Sequence, residues 1–188
     1  MSTKVEFGVI QKLLVTEVTQ LGQAVFVQLD TPEAYQVQDL SREIETHVSE
    51  RNRDQLKFET GSRCYARACD GVLYRALVVT KNAGTTATVY FTDYGNSEEV
   101  EISDMYPPTG SYFDLPAQGL CCTLSDFIPK ESQWSETIHE ILVEKLLNQE
   151  VHGMFRSISS NLHPYSDAVL QDSGGGCYPS YNVTLFQD

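Results

Sequence analysis

Two short apolar segments open the chain, at 11–19 and 23–30, with a glycine between them. Both are rich in β-branched and aromatic residues, and runs of this kind bounded by turn residues are typical of β-strands. Over 32–52 the apolar residues recur instead at intervals of three and four, which predicts a helix. Thr31 can cap this helix, and Pro32 suits its first position. The first part of the chain thus predicts two strands followed by a helix.

Glycines divide the stretch from 60 to 108 into short runs rich in β-forming residues. Regularly spaced short strands with glycine turns indicate a small β-barrel. Pro107 and Pro108 end this part of the chain, because proline cannot donate to a strand ladder. The predicted strands lie at 63–68, 73–80, 85–92 and 100–102.

The last third of the chain predicts a second helix among further strands. Ser132 can serve as the helix cap, and apolar residues from Trp134 to Leu146 recur on one face while glutamates occupy the other. The strands are predicted at 119–124, 151–157, 166–170 and 182–186. Together these patterns predict a mainly β protein with two helices, in the α+β class.

The chain is strongly acidic, with 26 acidic against 13 basic residues and a formal net charge of −13. Such a field repels phosphate backbones and argues against general nucleic-acid binding. It would attract a basic partner, although high net charge also serves solubility alone. The chain contains no run of 18 apolar residues, which a membrane span would need, and no apolar segment follows Met1. We therefore expect a cytoplasmic protein that does not contact membranes.

The five cysteines and four histidines do not form the pattern of a metal site. Cys64 and Cys69 lie five positions apart, Cys121 and Cys122 are adjacent, and Cys177 is isolated. Zinc sites require closely spaced pairs such as C-x-x-C. We therefore expect no metal and no other cofactor, and thiols that are reduced and mostly buried.

Two segments combine aromatic residues with tight glycine turns: DGVLYRA, which begins at position 70, and FTDYGNSE, which begins at position 91. If their strands pair, Tyr74, Phe91 and Tyr94 come together at one end of the barrel, beside Asn96. Aromatic faces attract a cation, and a carboxamide oxygen accepts an N–H. A guanidinium suits such a pocket because it is planar, weakly hydrated and stacks on rings.

These segments resemble the signature of the Tudor family, D-G-x-W-Y-R-A followed by F/Y-x-D-Y-G-N. The flanking elements are similar to the extended Tudor arrangement, in which a Tudor β-barrel is inserted into an oligonucleotide-binding barrel of the staphylococcal nuclease type and joined to it by a linker helix. The resemblance implies that all parts form one unit. The implied parts are the first section of the outer barrel at 1–30, the linker helix at 31–54, the Tudor core at 55–110 and the second section of the outer barrel at 111–188.

Extended Tudor domains bind arginine-rich tails, often symmetrically dimethylated, of Piwi-family Argonautes. The resemblance therefore implies a non-catalytic adaptor for RG- or RA-type tails in piRNA-pathway assemblies, located in perinuclear cytoplasmic granules. It also implies other Tudor modules of a longer protein as further partners.

Four places of the family's arginine-binding cage are matched in this chain, by Tyr74, Phe91, Tyr94 and Asn96. Ala68 stands where the family has another aromatic, whereas Leu73 replaces a tryptophan at a position that packs in the core. An open cage gives added methyl groups little apolar contact, so we expect weak or no dependence on arginine methylation. The alternative is a strict reader of symmetric dimethylarginine, with Tyr65 or a residue of the outer barrel as the missing wall.

An acidic run follows the cage motif at 97–104, with four acids and no base. Glu98 and Glu99 would form a rim that guides an arginine-rich peptide by long-range attraction. A solvated strand edge explains the run equally well. Asp93, within the motif itself, is predicted to be a hydrogen-bonding residue of the turn and not a ligand contact.

Two other functions fit an outer barrel of the nuclease type less well. Calcium-dependent cleavage needs clustered carboxylates and arginines on the phosphate, yet the outer segments offer scattered acids such as Asp126 and Asp167 beside a single arginine, Arg156. Binding of single-stranded RNA needs aromatic platforms interleaved with basic residues, which are scarce here. We therefore predict that the protein has no enzymatic activity and that any contact with RNA is weak and auxiliary.

Overall fold

The computed structural model describes residues 4–19, 24–48, 58–125, 134–158 and 180–186. Within these ranges the chain forms ten β-strands and two α-helices, α1 (Pro32–His47) and α2 (Glu136–Leu146). The strands are β1 (Ile10–Thr19), β2 (Ala24–Leu29), β3 (Arg63–Arg67), β4 (Leu73–Lys81), β5 (Thr86–Phe91), β6 (Ser97–Glu101), β7 (Met105–Tyr106), β8 (Leu120–Leu124), β9 (Glu150–Ile158) and β10 (Ser180–Phe186). The predicted class, mainly β with two helices, is confirmed.

Five strands form a closed barrel in the order β1-β2-β8-β10-β9. All neighbours are antiparallel except β8 and β10, which pair in parallel. The barrel therefore combines strands from before and after the central part of the chain. Its interior is apolar, with Val15, Val27, Phe155 and Val183 fully buried, and α2 packs against it through Leu146.

The central part of the chain folds into a second sheet in the order β6-β5-β4-β3-β7. Its core uses small residues such as Ala66, Ala76 and Ala87 beside Val78 and Val89, all of them buried. Helix α1 covers this sheet through Ile44, which packs in a cluster of buried residues. The other members of that cluster are Tyr65, Leu73 and Tyr106.

A buried ion pair in the second sheet bonds to the segment that leads into the outer barrel. The guanidinium of Arg75 on β4 contacts the carboxylate of Asp93, with Nε···Oδ2 at 2.8 Å, and both side chains are at most 3% exposed. The same guanidinium donates to the backbone oxygens of Tyr112, Leu115 and Pro116, which lead into β8. Asp93 is thus a structural hydrogen-bonding residue, as the sequence predicts.

The turn after β5 also bonds directly to the outer barrel. Thr16 Oγ1 donates to the backbone oxygen of Tyr94 at 2.6 Å, and Gln28 Nε2 donates to that of Asp93 at 2.6 Å. Gly95 has φ 93°, and a Cβ at that position would lie 2.1 Å from Cγ of Phe26 on β2. Only glycine permits both this backbone conformation and this close approach.

Two helix boundaries differ from the sequence-based expectation. Helix α1 ends at His47, because Val48 leaves the helical region with ψ 70°; position 52 lies outside the described residues. Helix α2 is capped by Ser135, not by Ser132, and Trp134 precedes the helix and lies buried in the barrel core. These differences are local, since residues next to a helix end compete for the same capping role.

The region after β5 also differs in detail. The strand expected at 100–102 begins earlier, at Ser97, and Ile102–Asp104 forms a 3-10 turn. The two-residue strand β7 was not expected from the sequence. The strand expected at 166–170 lies outside the described residues. Neither α1 nor α2, the helices of the described part of the chain, is long and apolar enough to cross a membrane.

Candidate functional site

A cavity of about 250 Å³ opens between the two sheets. Strands β4, β5 and β6 and their turns supply one side, and β1 together with the turn after α2 supplies the other. Its lining residues are Thr16, Glu17, Ala68, Cys69, Asp70, Tyr74, Phe91, Tyr94, Asn96, Glu98, Leu147 and Asn148. The four residues matched to the family cage, and Ala68, therefore lie in one cavity.

Three aromatic rings form one wall of the cavity. The Tyr74 ring stands between the other two, with its centroid 5.7 Å from Phe91 and 5.2 Å from Tyr94. Both pairs meet edge to face, at 73° and 75°. This arrangement is favourable for aromatic quadrupoles and leaves ring faces available to a cation.

Asn96 borders the rings and is held by the turn between β5 and β6. Its backbone oxygen accepts from the backbone N–H of Phe91 at 2.9 Å, and its side-chain Nδ2 donates to Glu98 Oε1 at 3.2 Å. With the amide N–H engaged in this way, the carboxamide presents its oxygen as an acceptor.

Three carboxylates line the cavity, and none of the described residues that line it is Lys or Arg. Asp70 accepts from the hydroxyl of Tyr74 at 2.7 Å and from the backbone N–H of Val72 at 2.9 Å. Glu98 accepts from the backbone N–H of Cys69 at 2.9 Å. The third carboxylate, Glu17, comes from the outer barrel. The cavity is therefore anionic and suited to a cation.

The tyrosines of the site stay protonated at neutral pH. Burial, followed by the charges of Asp93 and Asp70, raises the pKa of Tyr94 to about 12. Burial, followed by the hydrogen bond to Asp70, raises the pKa of Tyr74 as well. Neutral phenol rings can serve as cation-binding faces without contributing a negative charge that titrates near neutral pH.

Among the residues that the structure describes, none places an aromatic ring on the side of the cavity at Ala68. Ala68 and the exposed Cys69 form it, and the outer barrel adds Leu147 and Asn148. Tyr65 does not replace the missing ring: it is fully buried on the α1 side of the sheet. There it stacks on Phe113 at 5.3 Å and donates its hydroxyl to the backbone oxygen of Thr109.

The structure separates the two glutamates of the expected acidic rim. Glu98 lines the cavity, whereas Glu99 is directed elsewhere and accepts from Thr86 Oγ1 on β5. Successive residues of a strand point to opposite faces, so adjacent glutamates on β6 cannot both face the same cavity. Leu73 is 1% exposed and packs in the core, as the sequence predicts.

Sequence reasoning missed the residues that the outer barrel contributes. One local signal was present for Thr16 and Glu17, since two polar residues stand in succession between Val15 and Val18 and interrupt the alternation of β1. Leu147 and Asn148 gave no such signal. Asn148 adopts φ 61°, which fits the turn after α2. Its place in the site follows from how the two sheets pack together.

No group of three or more His, Cys, Asp or Glu side chains within the described ranges is arranged to hold a metal ion. Cys64, Cys121 and Cys122 are buried, and burial raises the pKa of each thiol. Burial therefore favours the protonated thiol at these three positions.

A family model of the Tudor domain matches residues 9–126. The chain belongs to the Tudor domain family. Human Tudor domain-containing protein 1 is 35% identical over 99 residues, and the mouse protein of the same name is 28% identical over 137 residues. These matches cover 52% and 72% of this chain but only 8% and 12% of the relatives, so the chain spans about a tenth of their length.

Solved structures show which kind of Tudor domain fold this is. Extended Tudor domain TD3 of mouse TDRD1, in complex with a MILI peptide containing dimethylarginine, matches with a TM-score of 0.76 and 22% identity over 98% of this chain and 85% of that chain. The extended Tudor domain of Drosophila melanogaster Papi, in complex with an unmethylated Piwi N-terminal peptide, matches with a TM-score of 0.79 and 19% identity over 95% and 89%. The fold is that of an extended Tudor domain.

Proposed function

We propose that this Tudor domain is a non-catalytic adaptor that binds a peptide by holding one arginine side chain in the cavity between its two sheets. One observation carries the proposal. Three aromatic rings, a carboxamide and three carboxylates line a cavity of about 250 Å³, and no described lining residue is basic. A planar cation is the ligand that such a set of groups attracts.

Each group has a distinct part in the proposed complex. The guanidinium stacks on the faces of Tyr74, Phe91 and Tyr94. Asn96 accepts one of its N–H groups, and the carboxylates stabilise its charge. Because the cavity is partly enclosed, these interactions are less screened than on an open surface.

The missing ring at Ala68 bears on methylation. Methyl groups on an arginine gain affinity where aromatic walls enclose them, and one wall here consists of Ala68 and Cys69. The proposed site therefore depends weakly or not at all on arginine methylation. A strict reader of symmetric dimethylarginine is the competing proposal, and measurement with both peptide forms separates the two.

The proposed partner is an arginine-rich tail of a Piwi-family Argonaute or of a protein with similar chemistry. Support comes from similar solved domains, which hold arginine peptides of MILI and of Piwi, and from the net charge of −13, which favours basic ligands. The proposed location is a cytoplasmic ribonucleoprotein granule, and RNA contributes weakly if it binds. In this proposal the parts 1–30, 31–54, 55–110 and 111–188 act as one binding unit.

Calorimetric titration with an arginine-glycine peptide, unmodified and symmetrically dimethylated, tests the proposal. We expect Tyr94→Ala and Asn96→Ala to weaken binding, and loss of the central ring in Tyr74→Ala to cost about 2 kcal/mol, or roughly thirtyfold in affinity. Tyr35→Ala is the matched control, because Tyr35 is 56% exposed on α1 and outside the cavity. Parental affinity in all three cavity variants would place the ligand elsewhere.

A further inference from the structure

Strand β1 carries an irregularity where it passes the cavity. Its pairing with β2 shifts register between Val15 and Glu17, which is the mark of a β-bulge. Val15 and Val18 both lie in the barrel core, at 0% and 2% exposure, although they are three positions apart. The bulge therefore brings two successive side chains, Thr16 and Glu17, out of the barrel and into the cavity lining.

The two side chains at the bulge have different tasks. Thr16 is used structurally, since its hydroxyl donates to the backbone oxygen of Tyr94 at 2.6 Å and fixes the aromatic turn against β1. Glu17 has a single described hydrogen bond, from the backbone N–H of its neighbour Val18 to Oε1 at 3.0 Å. Its other oxygen, Oε2, has acceptor capacity that the described contacts do not use.

The other two carboxylates of the cavity are already engaged. Asp70 accepts from Tyr74 and from the backbone of its own turn, and Glu98 accepts from Cys69 and from Asn96. A ligand N–H that contacted either one would have to share or displace those bonds. Glu17 is thus the carboxylate of the cavity with the most capacity for a new donor.

The surroundings of Glu17 favour a cation beside it. Burial raises the pKa of Glu17, and this effect is larger than the opposing effects of the Val18 N–H and of His139 on α2. A partly desolvated carboxylate gains more from a neighbouring positive charge than an exposed one does. An arginine that entered the cavity would supply that charge.

We infer that Glu17 is the residue that sets specificity in the proposed site: it accepts the terminal N–H groups of an unmodified arginine and so favours that form over symmetric dimethylarginine. The inference rests on the proposed function and names the chemical form of its ligand. The reason is geometric. Symmetric dimethylation keeps the charge but replaces one N–H on each terminal nitrogen, which blocks bidentate pairing with a carboxylate. The open side at Ala68 offers the methyl groups no ring in exchange.

The test is Glu17→Gln, which preserves shape and removes the charge. Two acetylated and amidated Gly-Ala-Arg-Ala-Gly peptides, one unmodified and one symmetrically dimethylated, are titrated into the full chain by calorimetry. We expect affinity for the unmodified peptide to fall about tenfold, or about 1.4 kcal/mol, and for the dimethylated peptide less than about threefold, since only the unmodified arginine loses a charge-assisted pair. Glu43→Gln, with the same change of charge on an exposed face of α1, should alter neither affinity.

Each other outcome is decisive. The role of Glu17 is overturned if Glu17→Gln binds the unmodified peptide as tightly as the parent does. It is also overturned if the substitution lowers the affinity for both peptides equally. The proposed function would survive that result if Tyr94→Ala weakened binding of the unmodified peptide. A parent that binds neither peptide overturns both. Should Glu17→Gln unfold at a lower urea concentration than the parent, Glu17→Asp keeps the charge while withdrawing the carboxylate by one methylene, and we expect it to lose selectivity for the unmodified peptide.

Discussion

At the scale of single residues, the two motif segments that begin at 70 and 91 contain two kinds of position that sequence alone does not separate. Tyr74 and Tyr94 line the cavity, whereas Arg75 and Asp93, each next to one of them, are buried and pair with each other. Alternation along β4 explains the difference between Tyr74 and Arg75, because neighbouring side chains of a strand point to opposite faces. Asp93 and Tyr94 are separated by the turn that follows β5. One face of the motif therefore serves the proposed ligand, and the other holds the site together.

Asp93→Asn should destabilise the fold strongly. The carboxylate and its arginine partner are at most 3% exposed, and removal of one member leaves the guanidinium of Arg75 buried without its counter-charge. Breaking a buried pair in this way costs about 3–5 kcal/mol. Urea unfolding followed by the fluorescence of Trp134, the single tryptophan, measures the change.

The matched control for that measurement is Glu45→Gln. It removes the same charge from the pair with Arg67, in which Glu45 is 52% exposed, and pairs of this kind are worth less than about 1 kcal/mol. Equal stability losses in the two variants would mean that the buried pair stabilises the fold no more than an exposed pair does.

At the scale of elements, the start of α2 shows which of two closely spaced serines caps the helix. Ser132 and Ser135 both precede the apolar pattern of α2, and either could serve as a cap by residue type. In the structure Ser135 Oγ accepts from the backbone N–H of Ile138 at 3.3 Å. Trp134, directly before this cap, is buried in the barrel core.

Ser135→Ala should therefore lower the free energy of unfolding by about 1 kcal/mol, the usual cost of losing an N-cap. Ser132→Ala is the comparison, and we expect it to change stability by less than about 0.5 kcal/mol. Denaturant unfolding of both variants gives the answer. A larger loss for Ser132 than for Ser135 would restore the cap that the sequence predicts.

At the scale of the whole molecule, the outer barrel depends on both ends of the chain. Its strand order β1-β2-β8-β10-β9 places β1 beside β9 and β2 beside β8. Two strands from before the inserted sheet therefore complete a barrel whose other three strands come after it. This connectivity also brings Glu17 on β1 to the cavity whose aromatic wall lies on the inserted sheet.

A fragment of residues 110–188 should consequently fail to fold. Without β1 and β2 the backbone groups of β8 and β9 lose their partners, and the barrel interior around Phe155 is exposed to water. We expect the amide signals of this fragment to be poorly dispersed in the proton–nitrogen NMR spectrum, whereas those of the full chain are well dispersed. Well-dispersed signals from the fragment would show that the second flank folds independently.

The sequence by itself determined the features that depend on local order. Periodicity located α1 and most strands to within a few residues, because side-chain spacing of 2 or 3.6 is imposed by the backbone. The motif predicted that Tyr74, Phe91, Tyr94 and Asn96 lie close together. Strand pairing and a tight glycine turn restrict where these side chains can be placed. The motif also predicted that Ala68 would border the same cavity, where the structure places it.

Only the tertiary structure decided what closes the cavity and what stays outside it. Tyr65 packs under α1, where it stacks on Phe113. Glu99 points away from the cavity, because strand alternation puts it on the other face of β6. Glu17 enters the cavity because a bulge redirects β1, and Asn148 enters because two sheets distant in sequence meet there. Such placements depend on register and on packing between elements, which residue type and spacing along one chain do not specify.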